Sequence, residues 1–342
     1  MYYVGLDAHK QYTTIALLNS ETRQMQVHKH VSNTAEAFAE VLAGLEGPFH
    51  GLVEAGRATW ALYDRVHHLF DSLIVGDAKQ LHDRRPSGGP TTDVRVARDL
   101  ANMLTTENPP KALWVPTLDC RINRALTRGA KNLAEMTTKL INGLRSLCAS
   151  FGLECPHSSL HLPGAKAWLA QVELPGEAQQ MLELYLRLLA EFEAVRGQVD
   201  KIIEKKAAAS PKVRRLMTMT GVGSFLGLGL MAELGDEKRF ADGKAVVGYA
   251  GLAPQVHQSG NHTRLGPLPQ AGNRNLRYLA VLAAQQVGNS RADSPLKRCY
   301  RRVAARHGFN PAKIAVARKL LVLAHHLLTH EEDYALPPPQ AA

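Results

Sequence analysis

Three β-like runs stand almost back to back at the start of this chain. YYVGLD (2–7), YTTIALL (12–18) and QMQVHKHV (24–31) are separated by a few residues each. Strands so close in sequence have room only for hairpin turns, so they must pair with one another as neighbours in one sheet. The pattern then changes period. TAEAFAEVLAGL (34–45) reads as a helix closed by Gly47 and Pro48, FHGLVE (49–54) as a strand and ATWALYDRVHHLF (58–70) as a helix. SLIVG (72–76) is another strand, and after the breaker-rich RRPSGGP (84–90) a helix begins near Asp93. Three adjacent strands followed by helix–strand–helix–strand is the order of an α/β, ribonuclease-H-like sheet.

The middle of the chain is helical. From about Leu118 to Gly152 the pattern is one long helix, with Arg121, Arg124, Arg128, Lys131 and Lys139 inside a roughly 80° arc. Leu126, Leu133, Leu140, Leu144 and Leu147 gather on the other side. Residues 177–206 form a second long, heptad-like helix, and the Pro/Gly-punctuated stretch 156–176 between them holds one short helix. The pair predicts an extended α-hairpin and a place for self-association. The basic arc reads either as a solvated face or as a ridge along a phosphate backbone.

The last third reads as helix, a tight TGVG turn and helix (216–236), a helical AVVGYA, the loop GLAPQVHQSGNHTRLGPLPQAGNRN and a helix from about Leu276. The divisions expected are 1–110 for the α/β part, 111–210 for the helical coiled region, 211–332 for a mostly α C-terminal domain, and a disordered tail at 333–342.

Charge narrows the partners. The 41 Lys and Arg outnumber 31 Asp and Glu, a net charge of +10 that favours a polyanion, nucleic acid before a membrane surface. Cys120, Cys148, Cys155 and Cys299 form no CxxC pair, which argues against a zinc ribbon or disulfide framework. With no signal-like region and no apolar run near the ~20 residues of a membrane helix, a cytoplasmic protein is expected.

In the expected sheet, Asp7 closes the first strand, Glu54 closes the fourth, and Asp93 opens the helix after the loop. Carboxylates converging from separate elements make an oxygen-rich site suited to Mg²⁺, which can activate an attacking oxygen and stabilise a leaving one. Taken singly, each acid is equally a cap or a surface charge.

GLDAHK, VEAG and TDVRVARDLANML, followed by MTGVGSFLGLGLMAELGD, KRFADGKAVVGYAGLAP, QSG and AGNRNLRYLAVLAA, lie in an order and spacing that covers most of the chain. This set resembles the DEDD-type insertion-sequence transposases, the family of Piv-like DNA invertases and bridge-RNA-guided serine recombinases with a RuvC-like domain. The resemblance departs at two positions. The family has K-T/N-D-x-x-D-A-x-x-L-A where this chain has Thr91 for the lysine and Val96 for the fourth acid. Asp99 stands one turn beyond, about 9 Å along the axis from Asp93.

The resemblance implies that Asp7, Glu54 and Asp93 hold Mg²⁺ and that Ser259 is the nucleophile. It implies a serine–DNA covalent intermediate, a site assembled between subunits of a homo-oligomer (dimer or tetramer), DNA ends and target as substrates, and a noncoding bridge RNA as guide. Gly272, Asn273, Arg274 and Arg277 match the family's GN-x-x-LR segment, as phosphate contacts or as a capped helix with surface arginines. His257 and His262 flank the serine as phosphate contacts or proton shuttles, and Lys297, Arg298, Arg301, Arg302 and Arg306 add a basic segment. Two other readings stay open: a Mg²⁺-dependent junction-resolving nuclease without serine chemistry, and a catalytically decayed nucleic-acid-binding relative.

Overall fold

The protein is described by a computed structural model covering residues 1–86, 91–157, 162–259 and 262–335, and it divides into two units, Met1–Val115 and Pro116–Ala342. The first unit carries strands β1 (Tyr2–Ala8), β2 (Tyr12–Asn19) and β3 (Met25–Ser32), helix α1 (Ala35–Leu42), β4 (Phe49–Glu54), α2 (Thr59–Val66), β5 (Ser72–Gly76), α3 (Ala78–Arg84) and α4 (Asp93–Met103). The five strands make one mixed sheet in the order β3-β2-β1-β4-β5. Short links force β1–β2 and β2–β3 to be antiparallel, whereas the helical crossovers make β1–β4 and β4–β5 parallel.

Alternation along the strands sorts side chains to two faces. Val4, Leu6, Ile15, Leu17 and Val53 pack with Phe38 of α1 and Leu62 and Val66 of α2. Ala16 and Leu18 meet Ala97 and Ala101 of α4, and Leu52 meets Val96, Leu100 and Met103. Gly5 lies on this second face. A Cβ there would stand 1.9 Å from the Ala97 carbonyl oxygen and 2.6 Å from the Ala101 nitrogen, so α4 crosses β1 backbone to backbone.

The second unit contains α5 (Leu118–Ser150), α6 (Pro163–Leu169), α7 (Glu177–Ala209), α8 (Pro211–Met217), α9 (Ser224–Leu234), α10 (Gly243–Tyr249), strands β6 (Val256–Ser259) and β7 (His262–Leu265), α11 (Arg274–Asn289), α12 (Pro295–His307) and α13 (Phe309–His330). Ile141, Leu144 and Cys148 of α5 pack with Leu182 and Leu189 of α7, while Ala130 packs with Ile203 and Ala207. The two long helices are therefore antiparallel, as the sequence predicts. Leu230, Leu234, Val246, Leu276, Ala280, Leu320 and Leu321 knit α9, α10, α11 and α13 into the main core.

Three expectations are amended here. The buried stripe of α5 is Cys120, Asn123, Thr127, Ala130, Thr137, Ile141, Leu144 and Cys148; of the leucine stripe of the wheel it keeps Leu144, while Leu126, Leu133, Leu140 and Leu147 are half-buried. Asn123, Thr127 and Thr137 disguise the buried stripe as polar. The threonines are tolerated because each donates its hydroxyl one turn back, to the carbonyls of Asn123 and Leu133 at 2.9 Å. The segment read wholly as a loop before α11 carries the antiparallel pair β6–β7. The helix after the breaker loop is capped by Thr92, whose hydroxyl accepts from the Arg95 N–H at 3.3 Å, leaving Asp93 free for other work. Most of the expected disordered tail, residues 336–342, lies outside the described residues, as do 87–90 of the breaker loop. Among the described residues no helix is long and apolar enough to cross a membrane.

Candidate functional site

Parallel pairing of β1 with β4, in the register Leu6↔Val53, ends both strands at the same edge of the sheet. Asp7 and Glu54 are the next residues, and alternation sends Asp7 to the side of Gly5 and Glu54 to the side of Leu52. That is the α4 side. The close crossing at Gly5 sets the first turn of α4 over this edge and brings Asp93 to the site. A carboxylate oxygen of Asp7, one of Asp93 and a ring nitrogen of His9 all lie within 4.8 Å of one another.

His9 Nε2 stands 3.5 Å from Asp7 Oδ2 and 3.1 Å from Asp93 Oδ2. Glu54 is ion-paired with Arg85 of the segment after α3. Its backbone turn is pinned by Thr59, whose hydroxyl donates to the Glu54 carbonyl at 2.7 Å and accepts from the Gly56 N–H at 2.8 Å. Burial pushes the Asp7 carboxyl above the usual carboxylate range. The charge of His9 opposes that, the carboxylates of Asp93 and Glu54 add to it, and Arg85 offsets part. A half-buried carboxyl with a second carboxylate beside it is a setting that a divalent cation relieves, and two carboxylates with an imidazole are donors that suit one.

Position 96, where the resemblance expects a fourth acid, is occupied by a valine 7% exposed among Leu52, Leu81, Leu100 and Met103. Asp99 is paired with Arg95 at 3.9 Å and stands outside the cluster of Asp7, His9 and Asp93. Val96→Asp would put a carboxyl into that apolar layer. In a chelator-containing melt it is expected to destabilise the first unit by roughly 3 kcal/mol, and a variant melting with the parent would refute that burial cost.

In the second unit, Ser259 ends β6 and pairs in register with His262 of β7, with His257 opposite Arg264. Gly260 and Asn261, between the strands, lie outside the described residues. Gly272 has φ +98°, and a Cβ there would stand 2.7 Å from the Gly251 nitrogen, so this bend requires glycine. Asn273 caps α11, its Oδ1 accepting from the N–H groups of Asn275 and Leu276 at 3.1 and 3.0 Å. Arg277 donates to the carbonyls of Ala250 and Ala271 at 2.9 and 2.6 Å, whereas Arg274 is exposed.

A residue that sequence reasoning passed over organises this region. Glu233, fully buried on α9, accepts Arg128 Nε at 2.7 Å and Nη2 at 2.9 Å in a forked pair. It also accepts Asn273 Nδ2 at 2.9 Å, and Arg124 stands 3.7 Å away while donating to the Ala232 carbonyl at 2.8 Å. Burial alone would raise this carboxyl. The bonds from Arg128 and Asn273 and the charges of Arg128 and Arg124 outweigh it and hold the carboxyl below the usual range. The only signal in the sequence was an acid inside the apolar run LGLGLMAEL.

The basic arc of α5 is thus divided. Arg124 and Arg128 turn to Glu233, Lys131 lies 4.6 Å over the Tyr278 ring, Arg121 is half-buried, and Lys139 is exposed. On α12, Lys297 is buried and donates to the Ser290 carbonyl, Arg298 pairs with Asp293 at 2.7 Å, and Arg301, Arg302 and Arg306 are exposed.

Residues 213–301, which include Glu233, Asn273 and β6–β7, match the family described as Transposase IS116/IS110/IS902 family. The chain is also similar to named relatives. It is 27% identical over 217 residues to "Transposase for insertion sequence element IS1111A" of Coxiella burnetii, which covers 62% of this chain and 59% of that protein. It is 25% identical over 184 residues to "Transposase for insertion sequence element IS1328" of Yersinia enterocolitica, 53% of this chain and 54% of the relative. To "Insertion element IS116 uncharacterized 44.8 kDa protein" of Streptomyces clavuligerus it is 33% identical over 118 residues, 34% of this chain and 29% of the relative. The chain thus spans less than two thirds of the length of each of these three.

Proposed function

We propose that the chain is an insertion-sequence transposase that cuts and rejoins DNA by phosphodiester transesterification, using acids of the first unit and the serine of the second. The observation that carries this reading is the meeting of Asp7 and Asp93 at the sheet edge where Glu54 ends β4, in a chain whose residues 213–301 match a transposase family. The strand order β3-β2-β1-β4-β5 supports a ribonuclease-H-like, RuvC-like reading of the first unit. The finer division is an α/β part to about 110, a coiled region to about 210 and a C-terminal part to 332.

Asp7, Glu54 and Asp93 are the residues that would hold Mg²⁺. When bound, such an ion activates an attacking oxygen and neutralises charge on the phosphoryl group. The Ser259 oxygen attacks phosphorus, its bond to the phosphate forms as the bond to the 3′ oxygen breaks, and the proton lost by the serine balances that gained by the 3′-OH. The 5′ phosphate stays on the serine, so rejoining to a new 3′-OH needs no nucleotide cofactor. Arg124, Arg128, Asn273 and Arg277, tied to internal partners, position the segment that presents Arg274, while exposed Lys139, Arg301, Arg302 and Arg306 supply the charge that meets nucleic-acid backbones. A bridge RNA is the guide in this reading. Exposed Met136, Leu184 and Leu188 on α5 and α7 support assembly of a homo-oligomer whose subunits complete one another's sites.

The test is covalent trapping. The full chain, with any RNA that co-purifies and DNA carrying element ends, is denatured and resolved for a protein–DNA adduct. The adduct is expected with the parent and absent with Ser259→Ala. Cleavage that persists in Ser259→Ala would replace this reading by attack of water in a nuclease.

A further inference from the structure

We propose that His9 is a direct metal ligand, its Nε2 completing with Asp7 and Asp93 a mixed nitrogen–oxygen site that prefers Mn²⁺ to Mg²⁺. This rests on the reading of Asp7 and Asp93 as ligands and adds to it the donor that the valine at 96 does not provide.

Three observations support it. The His9 ring is 38% exposed, yet its Nε2 is enclosed and makes no aligned hydrogen bond, although two carboxylate oxygens stand at 3.1 and 3.5 Å. A plain imidazole–carboxylate contact would align on one oxygen, because an enclosed ring nitrogen without a hydrogen bond costs free energy. Ligand atoms each ~2.1 Å from one octahedral ion lie ~3 Å apart in adjacent positions and ~4.2 Å apart across the ion, and His9 Nε2 stands 3.1 Å from Asp93 and 3.5 Å from Asp7 with all three atoms within 4.8 Å. Glu54 meanwhile is engaged by Arg85 and is absent from the cluster of three, so the imidazole is the donor best placed beside the two aspartates.

The turn that carries His9 is also held in place. The His9 N–H donates to the Tyr12 carbonyl at 2.9 Å, and Asn33 Nδ2 donates to the His9 carbonyl at 2.8 Å. Buried Thr13 donates to Asn33 Oδ1 at 2.7 Å, and the His9 ring packs on Tyr12 with centroids 4.8 Å apart. The ring is pre-positioned rather than a mobile surface side chain, which lowers the ordering cost of binding an ion. An imidazole nitrogen is a softer donor than a carboxylate oxygen, so its inclusion favours a transition ion over Mg²⁺.

Mn²⁺ added to the full chain without nucleic acid provides the readout, by electron paramagnetic resonance titration and by pulsed detection of coupled nitrogen. The parent is expected to show ¹⁴N coupling to bound Mn²⁺. His9→Ala should lose that coupling and bind Mn²⁺ at least ~10-fold more weakly, since loss of even an outer partner costs that much. Its Mg²⁺ affinity should fall less, narrowing the preference. Mn²⁺ bound without nitrogen coupling, or coupling that persists in His9→Ala, would overturn the role of His9 while leaving the aspartates as ligands. Binding lost in Asp7→Asn but unchanged in His9→Ala would do the same. No Mn²⁺ binding by the parent would overturn both this inference and the metal-assisted reading.

Discussion

Glu233→Ala is expected to be among the most damaging single substitutions in the second unit, lowering its stability by about 3 kcal/mol and its melting temperature by about 10 °C. The cost does not come from losing a favourable pair. It comes from leaving Arg124, Asn273 and the inner part of Arg128 facing a vacated, buried position without the carboxylate they were desolvated to meet. Arg128 is 44% exposed and partly rescued by water, which places the effect at the lower end of the range for buried pairs.

Glu233→Gln keeps a polar group of the same shape and should lie between the parent and the alanine variant. The pH dependence has a definite sign. The folded carboxyl is held below its ordinary value, so its contribution is fully present above the ordinary glutamate range and is lost as pH falls through the folded value. The parent should therefore lose stability below about pH 4 more steeply than Glu233→Gln. Thermal melts from pH 3 to 7 check both points, and an alanine variant melting within about 2 °C of the parent would show that the network contributes little.

Gly5→Ala should unfold or distort the first unit although it adds one methyl group. That methyl would need the space 1.9 Å from the Ala97 carbonyl oxygen and 2.6 Å from the Ala101 nitrogen, both backbone atoms that no rotamer change can move. Either α4 lifts off β1 or the sheet yields, at about 3 kcal/mol, the upper end for overpacking. The displacement has a functional reading as well. Asp93 rides on the first turn of α4, so lifting that helix separates it from Asp7 and His9. Loss of Mn²⁺ binding together with a lowered melting temperature is the expected pair of results. A Gly5→Ala protein that melts and binds like the parent would mean that α4 does not press on β1 as described.

Much of the first unit was legible because its signals are local. FHGLVE and SLIVG are short apolar runs with breakers or turns on both sides, and β4 and β5 span Phe49–Glu54 and Ser72–Gly76, the residues read from the pattern. The two long helices were equally plain, since 33 residues of helical periodicity without an internal proline leave little alternative. The pair β6–β7 was missed because each strand has only four residues, too few for alternation to stand out from a polar loop.

Within the candidate site, the acids could be picked out by position, one at each strand end and one opening a helix. Their partners could not. Arg85 reaches Glu54 from 31 residues away in sequence, and Arg128 reaches Glu233 across 105. A helical wheel places Arg124 and Arg128 on a shared face but carries no information about what that face meets.

The sequence by itself determined the order of the five strands of the first unit, the hairpin pairing of the first three and the edge at which Asp7 and Glu54 emerge, because turn length and side-chain period are local physics. Only the tertiary structure decided that His9 joins the aspartates, that a valine fills position 96 among leucines, and that a glutamate on α9 gathers the arginines of α5. Those outcomes depend on which faces pack together and on the charge balance inside each packed site, and neither is a property of any single segment.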